Sequence, residues 1–343
     1  VRHFADQKIA WIAYGFYFIL GGLSAWIMIP YSDSTGIIFP VFLFWLYVKL
    51  KETESAKKKC VLLFLMFFLC YIGFEIKPMA AIVMIAVAAV EGIHFIGKLL
   101  KKQIVWKKSV LACCLSAVLG IGAAAGGVSA VVGSLHFPVV TDTVLGWQHH
   151  MMLGLNKDTN GGYSQADFDY STSFSSAEEQ HAAELKEIGK RLKDFGVGGY
   201  LQHFVKKSAR NYFDGCFGWG GLGETFYTEI FPERGTVLCS LIRSLYYDNT
   251  EDTLYRYPAL FRQILWYMVL VLVPFSVFTK RPLDKKRQVA VLSVLGLMLY
   301  LQIFEAHARY LYTFVPIFVF LATEGIDNLR EYLNQKSERR VKK

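Results

Sequence analysis

Residues 98–133 read KLLKKQIVWKKSVLACCLSAVLGIGAAAGGVSAVVG. Lys98, Lys101, Lys102, Lys107 and Lys108 crowd the first part, and no charge follows from Ser109 to Gly133. An uncharged run of that length exceeds the roughly 17 residues a helix needs to cross a hydrocarbon core. Lysines gathered at one end of a span stay on the cytoplasmic side. The passage therefore implies both a fold class, an all-α polytopic membrane protein, and an orientation, with this loop inside and residue 133 emerging outside.

Downstream, residues 134–258 form the one long polar region between hydrophobic blocks. It carries 16 Asp and Glu against 11 Lys and Arg, although the whole chain is formally +9. An acidic segment in a basic protein fits a translocated, extracytoplasmic domain. Within it, Ser175-Ser176-Ala177-Glu178-Glu179 reads as a helix start and Gly196 as its stop. A second helix is expected over residues 200–213, with Leu201, Phe204, Val205 and Tyr212 on one side and Lys206, Lys207 and Arg210 elsewhere. Such a helix suits a membrane surface. Gly215, Gly218, Gly220, Gly221 and Gly223 interleave with Phe217, Trp219 and Leu222, which suits a tight aromatic turn.

Eight spans are expected: residues 9–29 after Arg2 and Lys8, a shorter one ending near 48, then 60–74, 79–96, 109–133, 259–279, 289–304 and a last one ending near 326. The domains are thus 1–133 and 259–326 in the membrane, 134–258 outside, and a basic cytoplasmic tail, 327–343. Basic clusters at Lys49 to Lys59, at Lys98 to Lys108 and at Lys280, Arg281, Lys285, Lys286 and Arg287 all fall inside under this alternation. The Gly- and Ala-rich second half of span 109–133 suits close helix approach. Val1 is not a start methionine, and no signal peptide precedes the first span, so the chain reads as the later part of a longer protein.

The composition, 54% hydrophobic and 15% aromatic, excludes a nucleic-acid reading of the positive charge, because the cations border spans and no binding motif interleaves them. There is no phosphate-cradling Gly-Lys-Ser/Thr loop, no zinc-type cysteine spacing and no Gly-x-Ser-x-Gly elbow. His149 and His150 are adjacent and diverge in either a helix or a strand, which disfavours joint metal ligation. Gly161-Gly162-Tyr163 reads as a turn. Cys216 and Cys239 both lie in the outer region, where a disulfide is open to them.

Ionisable residues at a membrane boundary are costly and often mark a site. Three short outer regions carry them: Asp33 within residues 30–36, Glu75 and Lys77, and the run Glu305-Ala306-His307-Ala308-Arg309-Tyr310. One acid with two cations suits a phosphate-bearing lipid head group, with a carboxylate left to orient a donor or hold a divalent cation. The competing reading is plain pairing, Asp33 with Arg309 or Glu75 with Lys77.

Asp33 before an apolar span, Lys77 at the start of the next outer-to-inner span, and Arg309-Tyr310 with Pro316 in the last span resemble the membrane glycosyltransferases of the GT-C fold, specifically bacterial relatives of protein O-mannosyltransferases and aminoarabinose transferases. The block HHMMLGLN at 149–156 followed by GGYSQAD at 161–167 is similar to members from Gram-positive bacteria. The resemblance implies a GT-C-like helical bundle with a mainly helical extracytoplasmic domain. It also implies inverting transfer of a sugar from a polyprenyl-phosphate donor to an extracytoplasmic acceptor, with Lys77, Arg309, Tyr310, Glu305 and His307 near the donor. Asp33 matches the second acidic position of that family, so the resemblance places the main catalytic carboxylate upstream of this chain. Two other classes stay open: a transporter or flippase for a lipid-linked sugar, and a non-catalytic scaffold of envelope assembly.

Overall fold

The computed structural model describes residues 6–102, 108–135, 145–221, 236–247, 254–278 and 283–341. Arg2, Lys107, Leu222, Gly223, Lys280 and Arg281, singled out above, lie outside them. The described residues are helical with no strand. In chain order they form α1 (Gln7–Tyr17), α2 (Ser32–Gly36), α3 (Ile38–Glu52), α4 (Ala56–Ile76), α5 (Ile82–Leu100), α6 (Lys108–Ser134), α7 (Trp147–Gly154), α8 (Gln165–Thr172), α9 (Ala177–Tyr212), α10 (Val237–Tyr246), α11 (Arg256–Leu272), α12 (Lys285–Ile303), α13 (Arg309–Tyr312) and α14 (Val315–Val341).

Among the described residues six helices are long and apolar enough to cross a membrane: Ser32–Glu52, Ala56–Ile76, Pro78–Leu100, Val110–Ser134, Arg256–Ser276 and Lys285–Ile303. The expected first and last spans depart from that pattern. The first is broken into α1, a π turn at Phe18–Gly22 and a 3-10 turn at Ala25–Met28, where Gly21 and Gly22 loosen the ladder. The last starts only at Val315 and takes up charge from Glu324 onward.

Both departures have one physical cause. The first part of α14 is buried almost throughout, from Val315 to Glu324, and packs against α1, α3, α11 and α12. A helix enclosed by protein has no lipid to satisfy, so it tolerates Glu324, whose carboxylate meets Arg287 Nε at 2.6 Å. α1 runs antiparallel beside it: the Tyr312 hydroxyl donates to Gly21 O at 3.0 Å and Arg330 pairs with Asp6 at 3.0 Å. By contrast α4 and α6 pack on each other and expose most of their apolar surface. Their closest approach is at Gly120, where a Cβ would sit 2.4 Å from the Phe64 carbonyl oxygen. The glycines expected to serve that purpose, Gly122, Gly126, Gly127 and Gly133, face open space.

Charge separates to the two ends of the bundle. At one end Lys51 and Lys285 share Glu91 at 3.0 and 2.7 Å, and Lys49 and Lys286 share Glu52 at 3.2 and 2.8 Å. At the other end sit Asp33, Lys77, Glu305 and Arg309 beneath a lobe built from α7 to α10. α9 bends at Gly196, whose φ of 57° and ψ of −179° leave the helical region, so the expected stop is there, but the next helix resumes at once.

The second half of α9 carries its apolar residues outward, the facing of a helix on a membrane surface. Its buried side is polar, with His203, Lys207 and Asn211 each at most 4% exposed, while Leu201, Phe204 and Val205 lie on the outside. Cys216 and Cys239 are both free thiols, so the disulfide left open by the sequence is not formed.

Candidate functional site

Local sequence brings three charges to one point. Asp33 lies in the first turn of α2 after the Pro30 break. Lys77 closes α4 in an extended conformation, φ −152° and ψ 102°, as the residue before Pro78 must. Arg309 opens α13. Gly36 lies beside the lysine, where a Cβ would stand 3.4 Å from Lys77 Cβ, an ordinary packing distance.

Asp33 is fully buried, with Lys77 Nζ 2.6 Å from Oδ1 and Arg309 Nε 3.0 Å from Oδ2. These are ion pairs rather than aligned hydrogen bonds, since neither carboxylate oxygen has an aligned donor. Both cations lie against aromatic faces. Lys77 Nζ is 4.5 Å from the Tyr310 ring centre, and the Arg309 guanidinium is 4.6 Å from Tyr31 and 5.4 Å from Tyr310. One acid therefore contacts two cations, and the charge of Glu305 acts on Lys77 from further off. Burial lowers the Lys77 pKa from its ordinary value against the pull of Asp33.

Of the two pairings the sequence framed, Asp33 with Arg309 forms and Glu75 with Lys77 does not: Lys77 turns to Asp33 instead, and Glu75 lies beside Tyr71. Glu305 accepts the Tyr310 hydroxyl at 2.7 Å and meets His150 Nδ1 at 3.6 Å. Burial pushes the Glu305 pKa up, but these two contacts outweigh it and hold it below the usual carboxylate range. His307 accepts the Arg309 backbone N–H on Nδ1 at 3.1 Å. Burial and the Arg309 charge push its pKa down to about 4, so the ring is neutral at pH 7 with its proton on Nε2.

The cluster does not itself line a large cavity. The nearest one, of about 980 Å³, begins at His307 and Ala308 and extends under the lobe past Arg210, Asp214, Gly218, Tyr255 and Gln263. An apolar cleft of about 550 Å³ lies between α1, α3 and α14, lined by Tyr14, Tyr17, Phe44, Trp45 and Phe320 among others and bordered by Lys49.

Several residues at this boundary escaped the sequence reading. Lys207 is buried without a direct carboxylate and donates to Gly154 O and Gln302 O, each at 2.9 Å. Arg210 Nε donates to Ala306 O at 3.3 Å, and the Ala306 N–H donates to Gly161 O at 2.7 Å, so the Gly161-Gly162 turn is sewn to the 305–309 segment. No sequence signal marks these contacts, because backbone carbonyls accept them. The two histidines diverge as expected: His149 turns into the lobe onto Ser171 Oγ at 2.7 Å, and His150 turns to Glu305. Among the described residues no group of three or more His, Cys, Asp or Glu is placed to hold a metal ion.

An all-helical integral membrane protein with an acid and two cations converging at one end of its spans is thereby defined. The chain belongs to the family described as conserved hypothetical integral membrane protein, whose model matches residues 4–328. No curated protein and no solved structure matches it.

Proposed function

We propose that this protein is a GT-C-like glycosyltransferase of the cell membrane, moving a sugar from a polyprenyl-phosphate donor to an extracytoplasmic acceptor. The observation that carries the reading is the shared Asp33, which gathers two largely buried cations, Lys77 and Arg309, on one carboxylate at the end of the spans. A departing lipid phosphate is dianionic at most, and fixed cations that are already desolvated stabilise it without reorganising. Lys77 also donates to Ser32 Oγ at 3.5 Å, and an ammonium with three N–H groups can serve more than one acceptor. The apolar cleft between α1, α3 and α14 offers room for part of a prenyl chain.

In this reading Asp33 positions the cations rather than activating the acceptor, and Glu305, held by Tyr310 and His150, is the nearest other carboxylate. The lobe and the 305–309 segment face outward, and the end carrying Lys49, Lys51, Lys285 and Lys286 faces the cytoplasm. The test is donor turnover in reconstituted membranes. Lys77→Met and Arg309→Met should each abolish use of a polyprenyl-phosphate sugar while the protein stays monodisperse; full turnover in either variant would end the proposal.

A non-catalytic role in envelope assembly is the second reading. It is favoured by the engagement of three carboxylates at this boundary: Asp33 by two cations, Glu305 by Tyr310 and His150, and Asp214 by backbone N–H groups.

A further inference from the structure

We propose that the cavity between the 215–221 turn and the first turn of α11 binds the phosphate head group of a membrane amphiphile, at a place separate from the Asp33 cluster. This does not depend on glycosyl transfer.

The polar side chains that line the cavity include Arg210, Arg256, Gln263 and His307, all of which carry N–H donors. Asp214, its one acid, is consumed by the backbone N–H groups of Cys216 at 2.7 Å and Gly218 at 2.5 Å. Gln263 spends its Oε1 on the Gly215 N–H at 2.8 Å, which fixes the amide so that Nε2 is buried with no partner. His307 presents an Nε2–H, since Nδ1 already accepts from Arg309. Arg210 uses Nε on Ala306 O and keeps its terminal nitrogens. With Arg210 and Arg256 against Asp214, the lining is net positive, and the N-terminal end of α11 adds its own partial charge. An acceptor-rich anion satisfies all of these groups together.

The rim decides what carries that anion. Phe213, Tyr257 and Leu260 border the opening and are 58%, 58% and 61% exposed. Leu260 continues on α11 into Phe261 and Ile264, which are also exposed on this membrane-spanning helix and face lipid. A soluble anion has no use for such a rim. A phosphate whose apolar remainder stays in the bilayer matches both the donor floor and the apolar lip, and it enters sideways from the membrane.

Two substitutions separate this site from the rest of the protein. A Cβ built on Gly221 meets nothing within 4 Å, so Gly221→Trp projects into open space instead of packed protein. Gln263→Leu removes the unpartnered donor. The full chain, released from detergent micelles into native mass spectrometry, is titrated with farnesyl phosphate, phosphatidylglycerol and phosphatidylcholine. The expected result is one retained phosphate amphiphile per chain under conditions that strip phosphatidylcholine. Losing a charge-assisted hydrogen bond or the space itself should weaken retention about tenfold or more in Gly221→Trp and Gln263→Leu. Lys51→Met, at the opposite end of the bundle, should leave it unchanged. Stronger retention of farnesyl phosphate assigns the site to a lipid-linked phosphate, and stronger retention of phosphatidylglycerol assigns it to a bilayer phospholipid. Equal retention of phosphatidylcholine, undiminished binding in both folded variants, or an equal loss in Lys51→Met overturns the proposal. Absence of glycosyl turnover in the unaltered protein, with binding intact, would instead count against the glycosyltransferase reading alone.

Discussion

Asp33→Asn should be more damaging than the loss of either cation it holds. At an effective dielectric constant near 20, the two contacts of Asp33, at 2.6 and 3.0 Å, each correspond to about 5.5 to 6.5 kcal/mol of attraction. Its own desolvation offsets several kcal/mol of this. The asparagine forfeits both attractions and leaves Lys77 and Arg309 facing each other, each with its side chain only 12–14% exposed. A loss of about 3 to 5 kcal/mol is the scale expected when a buried partner is removed. Lys77→Met, in contrast, leaves a neutral Asp33–Arg309 pair and should cost about 1 to 2 kcal/mol, below that scale because no charge is stranded. At about 2 to 4 °C per kcal/mol, the melting temperatures should fall by roughly 6 to 20 °C and 2 to 8 °C respectively. Adding Lys77→Met to Asp33→Asn should recover part of the loss, because only one cation is then unpaired. The assay is the fraction of monodisperse protein recovered from detergent after heating through a temperature series. If Asp33→Asn melts within about 2 °C of Lys77→Met, the account of one acid serving two cations is wrong.

Other expectations follow from neighbouring features. Burial lowers the Lys207 pKa to about 7, so the folded lysine sheds its proton well before the unfolded one does, and stability rises with pH between about 7 and 10.5. Melts of wild type and Lys207→Met should therefore diverge in favour of wild type by about 2 kcal/mol between pH 7 and 9, and a constant difference would contradict the lowered pKa. Gly120→Leu should split α4 from α6, since even a Cβ there meets the Phe64 carbonyl; an unchanged melting temperature would argue against that contact. Ser175→Cys in intact cells should react with a membrane-impermeant thiol reagent and Ser337→Cys should not, the reverse pattern inverting the topology. Replacing Leu201 and Phe204 with Glu should raise protease sensitivity of the lobe in membranes, and equal digestion would show that this face touches no lipid.

What the sequence disclosed depends on where each residue's partner lies. Asp33, Lys77 and Arg309 were legible because charges at the ends of apolar runs are few and topology brings alternate ends together; that they share one carboxylate was not, since Glu75 and Glu305 stood closer in sequence. Helix 200–213 was legible as two-faced, yet amphipathicity states that two faces exist without saying which one meets protein. Beside a membrane the usual assignment reverses, and His203, Lys207 and Asn211 went inside. The first and last spans were read by hydropathy, which measures fitness for lipid. α14 meets protein on most sides, so its charges are no bar to a place in the bundle. Gly120 was indistinguishable from Gly122 and Gly126 by composition, and only the crossing with α4 tells them apart.

The outward-facing leucine, phenylalanine and valine of α9, and the lysine beneath them, bear on how the lobe can be handled. Cut free of its spans, it would present a greasy flank to water and an ammonium group deprived of the Gln302 carbonyl that holds it. The lobe is thus not a detachable head that can be expressed, crystallised or grafted alone. Its folding is completed by the membrane on one side and by the 302–309 segment on the other, and any reconstruction of its chemistry has to begin from the intact chain in lipid.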